Sequence, residues 1–176
     1  MGKGDKKISY NVSKLYTLGP VITLLASIGA LTFAIFVEIS LQLEPCKLCL
    51  YQRIPHMTAI IIGLIGCSCT SIVIKHVSIG LSGLIFLISS IIALHHIGVE
   101  QEWWNSIAMC GGALTNFTGT SSFLEALSQQ QGPTCTNPEW TFFGLSMATY
   151  NFLYSLSLAL FFIWVLIKLH LKGRFR

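Results

Sequence analysis

Four long uncharged stretches of mainly apolar residues dominate the pattern of the chain. They cover residues 15–37, 54–74, 77–99 and 140–167. Each reaches the roughly 20 apolar residues that a helix needs to cross a bilayer. We therefore predict an all-α fold, an integral membrane antiparallel four-helix bundle with left-handed packing that forms a single domain over residues 1–176.

Polar and turn-forming residues between these stretches set the predicted limits of the helices and loops. The predicted helices span about 15–37, 47–73, 77–98 and 143–168, and the predicted outer loops span about 38–46 and 99–142. Within the second loop, residues 120–127 combine a Thr or Ser cap with Glu125 and three large apolar side chains. This pattern favours a short interfacial helix that lies on the membrane surface.

The composition also fits a lipid environment. Apolar residues make up 53% of the chain and charged residues 10%, whereas a soluble domain carries about 25% charged residues. The net charge of +4 could suggest nucleic acid as a partner. However, the cationic residues lie at the ends of the predicted helices, beside lipid headgroups, and leave no basic face. We therefore expect contact with membrane lipid and no nucleic-acid binding.

The placement of Lys and Arg predicts the orientation. Nearly all cationic residues precede the first helix, separate the second from the third, or follow the fourth: Lys3, Lys6, Lys7, Lys14, Lys75, Lys168, Lys172, Arg174 and Arg176. With an even number of spans these three regions share one face, and Lys and Arg collect on the cytoplasmic side. Both termini are therefore predicted to be cytoplasmic, with Lys75 in the turn between helices two and three.

The predicted orientation sorts the six cysteines into two groups. Cys67 and Cys69 lie near the cytoplasmic end of helix two, where we expect packing only, because positions i and i+2 point to different sides of a helix. The other four lie on the outer side, where disulfides persist: Cys46, Cys49, Cys110 and Cys135. From spacing alone, the last two fit a structural loop staple as well as a mobile redox pair.

A Cys-x-x-Cys motif carries the clearest candidate chemistry. Cys46 and Cys49 follow Pro45, which suits the first turn of a helix, and their spacing puts both sulfurs on one side. The helix N-terminus, Lys47 and Arg53 all favour the thiolate, which is the species that performs thiol–disulfide exchange. The motif therefore predicts a reactive dithiol.

Arg53 lies on the same side as Cys49, about 6 Å deeper along the helix. An ionisable residue at the edge of the hydrocarbon is a functional candidate, although snorkelling to the headgroups is the structural alternative. Beside a reactive sulfur, Arg53 is suited to hydrogen-bond the oxygen of an apolar electron acceptor. Glu100, one turn beyond His96, is a candidate wall of the same pocket.

A zinc site is less well supported than a redox pair. Zinc takes four ligands, and the outer loops offer no histidine, while Cys110 and Cys135 are too far apart in sequence for a zinc knuckle. His95 and His96, at the end of helix three, are expected to pack at the interface. We therefore expect no metal site.

Three features together resemble the DsbB family of bacterial disulfide-forming membrane proteins. They are Pro45-Cys46-x-x-Cys49-x-Tyr51-x-Arg53, the pair Cys110 and Cys135, and Trp140-x-Phe142-x-Gly144-Leu145-x-Met147. The resemblance covers essentially the whole chain and implies a multi-pass protein of the bacterial inner membrane with its redox loops in the periplasm. It also implies a quinone-dependent protein-disulfide oxidoreductase that reoxidises a periplasmic DsbA-like thioredoxin-fold oxidase.

The resemblance also implies a role for each site residue. Cys46–Cys49 and Cys110–Cys135 would be the redox disulfides. Cys110 would receive the attack of the partner's thiolate, Cys135 would exchange with Cys46, and Cys49 would be left facing a membrane quinone held by Arg53. Ubiquinone is preferred to menaquinone, and the chain is expected to be a monomer.

Two rival interpretations remain open from the sequence. The first is a non-enzymatic tetraspan scaffold whose Cys110–Cys135 bridge is structural; it leaves the Cys-x-x-Cys motif and Arg53 unexplained. The second is a membrane reductase relay that passes electrons the other way. Cysteine spacing does not give the direction, because thiol–disulfide exchange is reversible.

Overall fold

The computed structural model describes residues 3–105, 135 and 140–173, with side chains from residue 14 onward to residue 171. Cys110 and the predicted interfacial helix at 120–127 lie outside the described residues. The elements are α1 (Lys3–Leu41), α2 (Lys47–Ser68), α3 (Ile72–Glu100), β1 (Thr141–Phe142), β2 (Leu145–Ser146) and α4 (Met147–Gly173). In this part of the chain, four helices are long and apolar enough to cross a membrane, which confirms the four predicted spans.

The helix ends differ from the predicted limits for local reasons. α1 continues past 37 to Leu41, where Gln42 takes a left-handed φ of 52° and the Leu43 amide donates to Glu38 O. That bond is the capping pattern of a helix C-terminus. α2 ends at Ser68, short of 73, and Cys69 is extended. Lys75 therefore lies in the first turn of α3 and not in the connecting turn.

A small hairpin precedes the fourth helix and delays its start from the predicted 143 to Met147. Strands β1 and β2 are antiparallel, with Thr141 opposite Ser146. Phe143 and Gly144, at the tip, have φ of 49° and 74°, and positive φ at both central residues is what a two-residue type I′ turn requires. The hairpin is tied to α4 by the Tyr150 hydroxyl, which donates to Phe142 O at 2.8 Å.

Helix packing follows the rules of membrane bundles. α3 packs along α4, and α2 packs against both α1 and α3. Small residues and hydroxyls mark the close approaches: a Cβ on Gly66 would come within 2.8 Å of Pro20, and Thr23 donates to Ser82 Oγ at 2.9 Å. Both features are typical of helix association in lipid. The core is apolar and includes Phe86 stacked on Phe162.

The outer surface of the helices is apolar, as expected for a bundle surrounded by lipid. Large side chains such as Leu25 (64% exposed), Phe36 (65%) and Ile61 (59%) point away from the bundle. A soluble domain does not expose contiguous apolar surface of this extent. The fold is therefore that of a multi-pass membrane protein. The left-handed packing stays a prediction.

Within the part of the chain that the structure describes, one side of the bundle is open. α1 and α4 make little contact with each other. The Tyr154 hydroxyl, which donates to Ala26 O at 3.0 Å, joins them at a point away from the Cys-x-x-Cys end. Between this contact and the hairpin, α1, α2 and α4 enclose a cavity that adjoins the cysteine motif.

Candidate dithiol site and adjoining cavity

The start of α2 presents both cysteines of the motif. Cys46 is the N-cap residue, with φ −66° and ψ 162°, and its sulfur accepts a hydrogen bond from the Cys49 amide at 3.3 Å. This sulfur takes the place of the oxygen that a Ser or Asp supplies at an N-cap. Pro45 therefore precedes the cap. The prediction that Pro45 lies in the first turn of the helix is wrong. Cys49 is the third residue of the helix.

The two sulfurs are close neighbours. Cys46 and Cys49 are free thiols, and their Sγ atoms lie 2.9 Å apart, farther than the roughly 2.05 Å of a disulfide bond. The predicted Cys46–Cys49 disulfide is thus not formed in this structure. The hydrogen bond with the Cys49 thiol lowers the pKa of Cys46, and His96 and the Cys49 amide add to this effect, while burial opposes it. Cys46 is the favoured thiolate.

A buried histidine, expected only to pack at the interface, faces the dithiol. His96 Nε2 lies 3.6 Å from Cys46 Sγ. Its Nδ1 lies 2.6 Å from the Gln52 amide nitrogen. His95 has the packing role predicted for both histidines, since its ring stacks on Trp104. The sequence shows two adjacent histidines, and only the rotational phase of α3 decides which one meets the sulfurs.

Glu100 lies next to the same His96 nitrogen that faces Cys46. Its Oε1 is 3.7 Å from His96 Nε2, and its Oε2 accepts from Ser146 Oγ at 2.5 Å. The carboxylate borders the small cavity around the sulfurs and does not line the large cavity on the open side. Cys49 and Arg53 also line this small cavity, so Glu100 shares a pocket wall with both, as predicted.

The loop cysteine that the structure describes is close to the dithiol. Cys135 is disulfide-bonded, is 1% exposed, and belongs to the same buried cluster as Cys46, Leu48 and Val99. Cys135 is therefore adjacent to the dithiol at this end. Cys67 and Cys69 are free, as predicted, and lie at the other end of α2.

The cavity on the open side has a volume of about 490 Å³, within the usual range for a small-molecule site. Its wall is mostly apolar and includes Phe33, Trp140 and Met147. Cys49 and Arg53 line it together, as their spacing along the helix requires. It therefore connects the deeper sulfur to a site suited to a flat apolar molecule.

Arg53 has a partner that the sequence did not predict. Its guanidinium forms a salt bridge with Glu38, on the last turn of α1. Both side chains are only partly buried, with 23% and 27% exposed. The pair can therefore hold the arginine beside the cavity without burying an isolated charge.

Polar groups on the cavity wall form one continuous network. The Asn151 amide donates to Gln52 Oε1 at 2.6 Å, and Asn151 Oδ1 lies 3.1 Å from His56 Nε2. Through Gln52 this network reaches His96 and thus the dithiol. His56 Nδ1 is buried and, among the described residues, has no hydrogen-bond partner.

Four spans, a reactive dithiol at a helix N-terminus and a cavity behind it define a membrane-embedded thiol oxidoreductase. The chain belongs to the DsbB family: a family model described as "Disulfide bond formation protein DsbB" matches residues 17–165. Membership gives the chain an oxidoreductase role in disulfide bond formation.

Curated relatives agree with this assignment. The chain is 36% identical to "Disulfide bond formation protein B" of Xylella fastidiosa (strain 9a5c), over 75% of this chain and 79% of the relative. It is 30% identical to the protein of the same description from Acinetobacter baylyi, over 84% of this chain and 88% of the relative. The resemblance inferred from the sequence motifs is confirmed.

Proposed function

We propose that the chain reoxidises a periplasmic DsbA-like dithiol protein and passes the electron pair to membrane quinone. The observation that carries the proposal is the shared wall of the cavity. Cys49 and Arg53 line one apolar space on the open side of the bundle, next to lipid in which quinones dissolve.

The residues present fit a quinone ring. The cavity volume suits a ring-sized molecule, and its apolar wall includes aromatic side chains on which a ring can stack. Arg53 is a permanent hydrogen-bond donor for a ring oxygen. A quinone, when bound, supplies an acceptor for two electrons and two protons. Ubiquinone is preferred to menaquinone in this proposal.

Each of the four outer cysteines has its own step in the proposed thiol–disulfide exchange. The partner's thiolate attacks Cys110 of the Cys110–Cys135 disulfide, which leaves Cys135 as a thiolate. Cys135 then attacks Cys46 of an oxidised Cys46–Cys49 pair, and Cys49 leaves as the thiolate at the cavity. The partner's second thiolate resolves the mixed disulfide, which releases the oxidised partner and leaves Cys110 as a thiolate. Cys110 then attacks Cys135, which re-forms their disulfide and frees Cys46. Cys46 and Cys49 would return to a disulfide by giving two electrons and two protons to a quinone beside Cys49. The burial of Cys135 beside Cys46 supports this order.

The proposed setting is the bacterial inner membrane. Both termini are cytoplasmic and the dithiol end is periplasmic, because the cationic residues predicted to be cytoplasmic cluster at the opposite end of the bundle. The working unit is a monomer, since one chain provides the cavity, the dithiol and the loop cysteine.

Replacing one sulfur tests the proposal. Cys49→Ser should still form a mixed disulfide with a reduced DsbA-like partner, because the attacked Cys110 is unchanged, but should reduce quinone at less than about a hundredth of the normal rate. Purified protein, partner and either ubiquinone or menaquinone provide the assay, with quinone absorbance and partner thiol titration as readouts. Cys67→Ser is the matched control, since this exposed thiol lies at the other end of α2. Quinol formation at the normal rate by Cys49→Ser would refute the route.

The scaffold interpretation predicts a different result in the same assay. A structural Cys110–Cys135 staple would stay oxidised when reduced partner is added, whereas the proposed oxidase would cycle. A reductase relay would be distinguished by supplying quinol and an oxidised partner and observing net reduction of the partner.

A further inference from the structure

Three soft ligand atoms converge at the start of α2. Cys46 Sγ, Cys49 Sγ and His96 Nε2 all lie within 4.8 Å of one another. Two thiolates and an imidazole on one side of a cavity are a ligand set that zinc and similar ions prefer. We propose that the reduced chain binds one thiophilic divalent ion, such as Zn²⁺, at Cys46, Cys49 and His96.

The distances fit a tetrahedral ion after a small adjustment. With metal–sulfur bonds of about 2.3 Å and metal–nitrogen bonds of about 2.0 Å, neighbouring ligand atoms lie roughly 3.5–3.8 Å apart. The separation of Cys46 Sγ and His96 Nε2 is already 3.6 Å. The two sulfurs, at 2.9 Å, must move apart by less than about 1 Å. Rotation of the partly exposed Cys49 side chain provides this movement.

Glu100 lies beside the three-ligand cluster but outside it. Its Oε1 lies 3.7 Å from His96 Nε2, and both side chains are more than nine-tenths buried. The other oxygen, Oε2, is held by Ser146 Oγ, which orients the carboxylate. A water, or this carboxylate after a shift toward the ion, would supply the fourth ligand beside the two thiolates and the imidazole. The sequence-based expectation of no metal site assigned both His95 and His96 to packing at the interface, because the sequence does not show that His96 faces the sulfurs.

The second nitrogen of His96 has the support that a metal ligand needs. Metal binding requires Nε2 without a proton, so Nδ1 must carry it and must donate to an acceptor. The Gln52 side-chain amide lies 2.6 Å from Nδ1 and offers its oxygen after rotation about its last bond. Asn151 can turn in the same way because its neighbour His56 can exchange tautomers, with Nδ1 uncommitted among the described residues.

Binding is an exchange of protons for a metal ion and involves no electron transfer. The ion displaces the protons that the two thiols still carry, and the sulfurs remain reduced. Oxidation of the pair to a disulfide removes both thiolates and therefore releases the ion. On the proposed function, a bound ion would also block electron flow through Cys49; the metal site itself does not depend on that function.

Direct binding to the reduced chain tests the site without partner or quinone. The background replaces the four cysteines outside the site with Ser and leaves Cys46 and Cys49 as the two cysteines of the chain. After reduction and gel filtration, elemental analysis should find one Zn²⁺ per chain, and Cd²⁺ should give the ultraviolet charge-transfer band of thiolate ligation. Oxidation of the Cys46–Cys49 pair should abolish both signals.

Variants at adjacent histidines provide the matched comparison. His96→Ala should weaken Zn²⁺ at least about tenfold in a chelator competition, or about 1.4 kcal/mol. His95→Ala, which alters the Trp104 stack but not the cluster, should bind as the parent does. His96→Cys supplies a replacement ligand and should restore affinity, which separates ligand loss from misfolding. Unchanged affinity in His96→Ala, or a bound ion that survives oxidation of the pair, would overturn the proposal.

Discussion

Cys46 caps α2 and carries the favoured thiolate of the dithiol. The Cys49 thiol, His96 and the Cys49 amide lower its pKa against the opposing effect of burial. A lowered pKa means that the thiolate persists as the pH falls below the ordinary thiol value of about 8.5. Reactivity at Cys46 should therefore be nearly independent of pH around neutrality and should decline only in acid.

Pulse alkylation with iodoacetamide, resolved by residue with mass spectrometry, measures this dependence. In the folded reduced chain the Cys46 rate should stay near its plateau below pH 8.5, whereas in the denatured chain it should fall about tenfold per pH unit. Cys49→Ala removes the largest cause of the shift and should move the folded profile toward the denatured one. Coincident profiles for folded and denatured chain would show that the site does not activate Cys46.

Residues of the site differ in how far the sequence could predict them. Cys46, Cys49 and Arg53 are close in sequence, so helical spacing alone places them on one side. His96 and Glu38 reach the site from other helices. Which of two histidines faces the sulfurs depends on the packing phase of α3, and the salt bridge of Glu38 with Arg53 depends on the continuation of α1 beyond its apolar stretch to Leu41. Neither the packing phase of α3 nor the end of α1 can be predicted from the residues close to the Cys-x-x-Cys motif in sequence.

At the scale of elements, the cavity exists because α1 and α4 stay apart between the hairpin and the Tyr154–Ala26 bond. Hydropathy predicts four membrane-spanning helices but does not indicate which two of them stay apart. The hairpin that borders the cavity could not be predicted from the sequence either. Its two-residue turn gives Phe143 a positive φ, which is unusual for a bulky residue.

Filling the cavity from α1 tests its role. Gly29 lines it, and a Cβ built there meets nothing within 4 Å. Gly29→Leu should therefore fold normally but occupy ligand space, and it should raise the KM for quinone by about tenfold or more, equivalent to about 1.4 kcal/mol. Formation of the mixed disulfide with the partner should be unaffected, because the dithiol end is unchanged.

The control for this experiment is Gly80→Leu. Gly80 lies in α3, away from the cavity, and it too has open space where a Cβ would stand. Both variants add the same side chain to a membrane helix, so a difference in quinone kinetics reports the cavity and not the change in lipid contact. Equal KM values for quinone in the two variants would show that this cavity is not the quinone site.

At the scale of the whole molecule, the bundle separates two chemical environments across one motif. Cys46 faces the buried cluster with Cys135, and Cys49 opens onto the cavity beside lipid. Thiol exchange with a soluble protein and electron transfer to a lipid-soluble acceptor can therefore occur one helical turn apart. The proposed function requires the dithiol end to lie on the periplasmic side of the membrane.

Cys67 offers a direct test of that orientation. α2 comprises 22 residues from Lys47 to Ser68, or about 33 Å at 1.5 Å per residue, which matches the roughly 30 Å of a hydrocarbon core. Cys67 is exposed near the far end of this helix and should lie at the cytoplasmic face. With Cys67 as the sole cysteine, a membrane-impermeant maleimide should label inverted vesicles and leave intact spheroplasts unlabelled.

The control places a single thiol on the other side of the membrane. Gln101→Cys in a cysteine-free chain puts this thiol just beyond the end of α3 that lies on the dithiol side, and it should give the reverse pattern. Labelling of Cys67 from outside intact spheroplasts would invert the proposed topology and place the dithiol in the cytoplasm, where a periplasmic partner could not reach it.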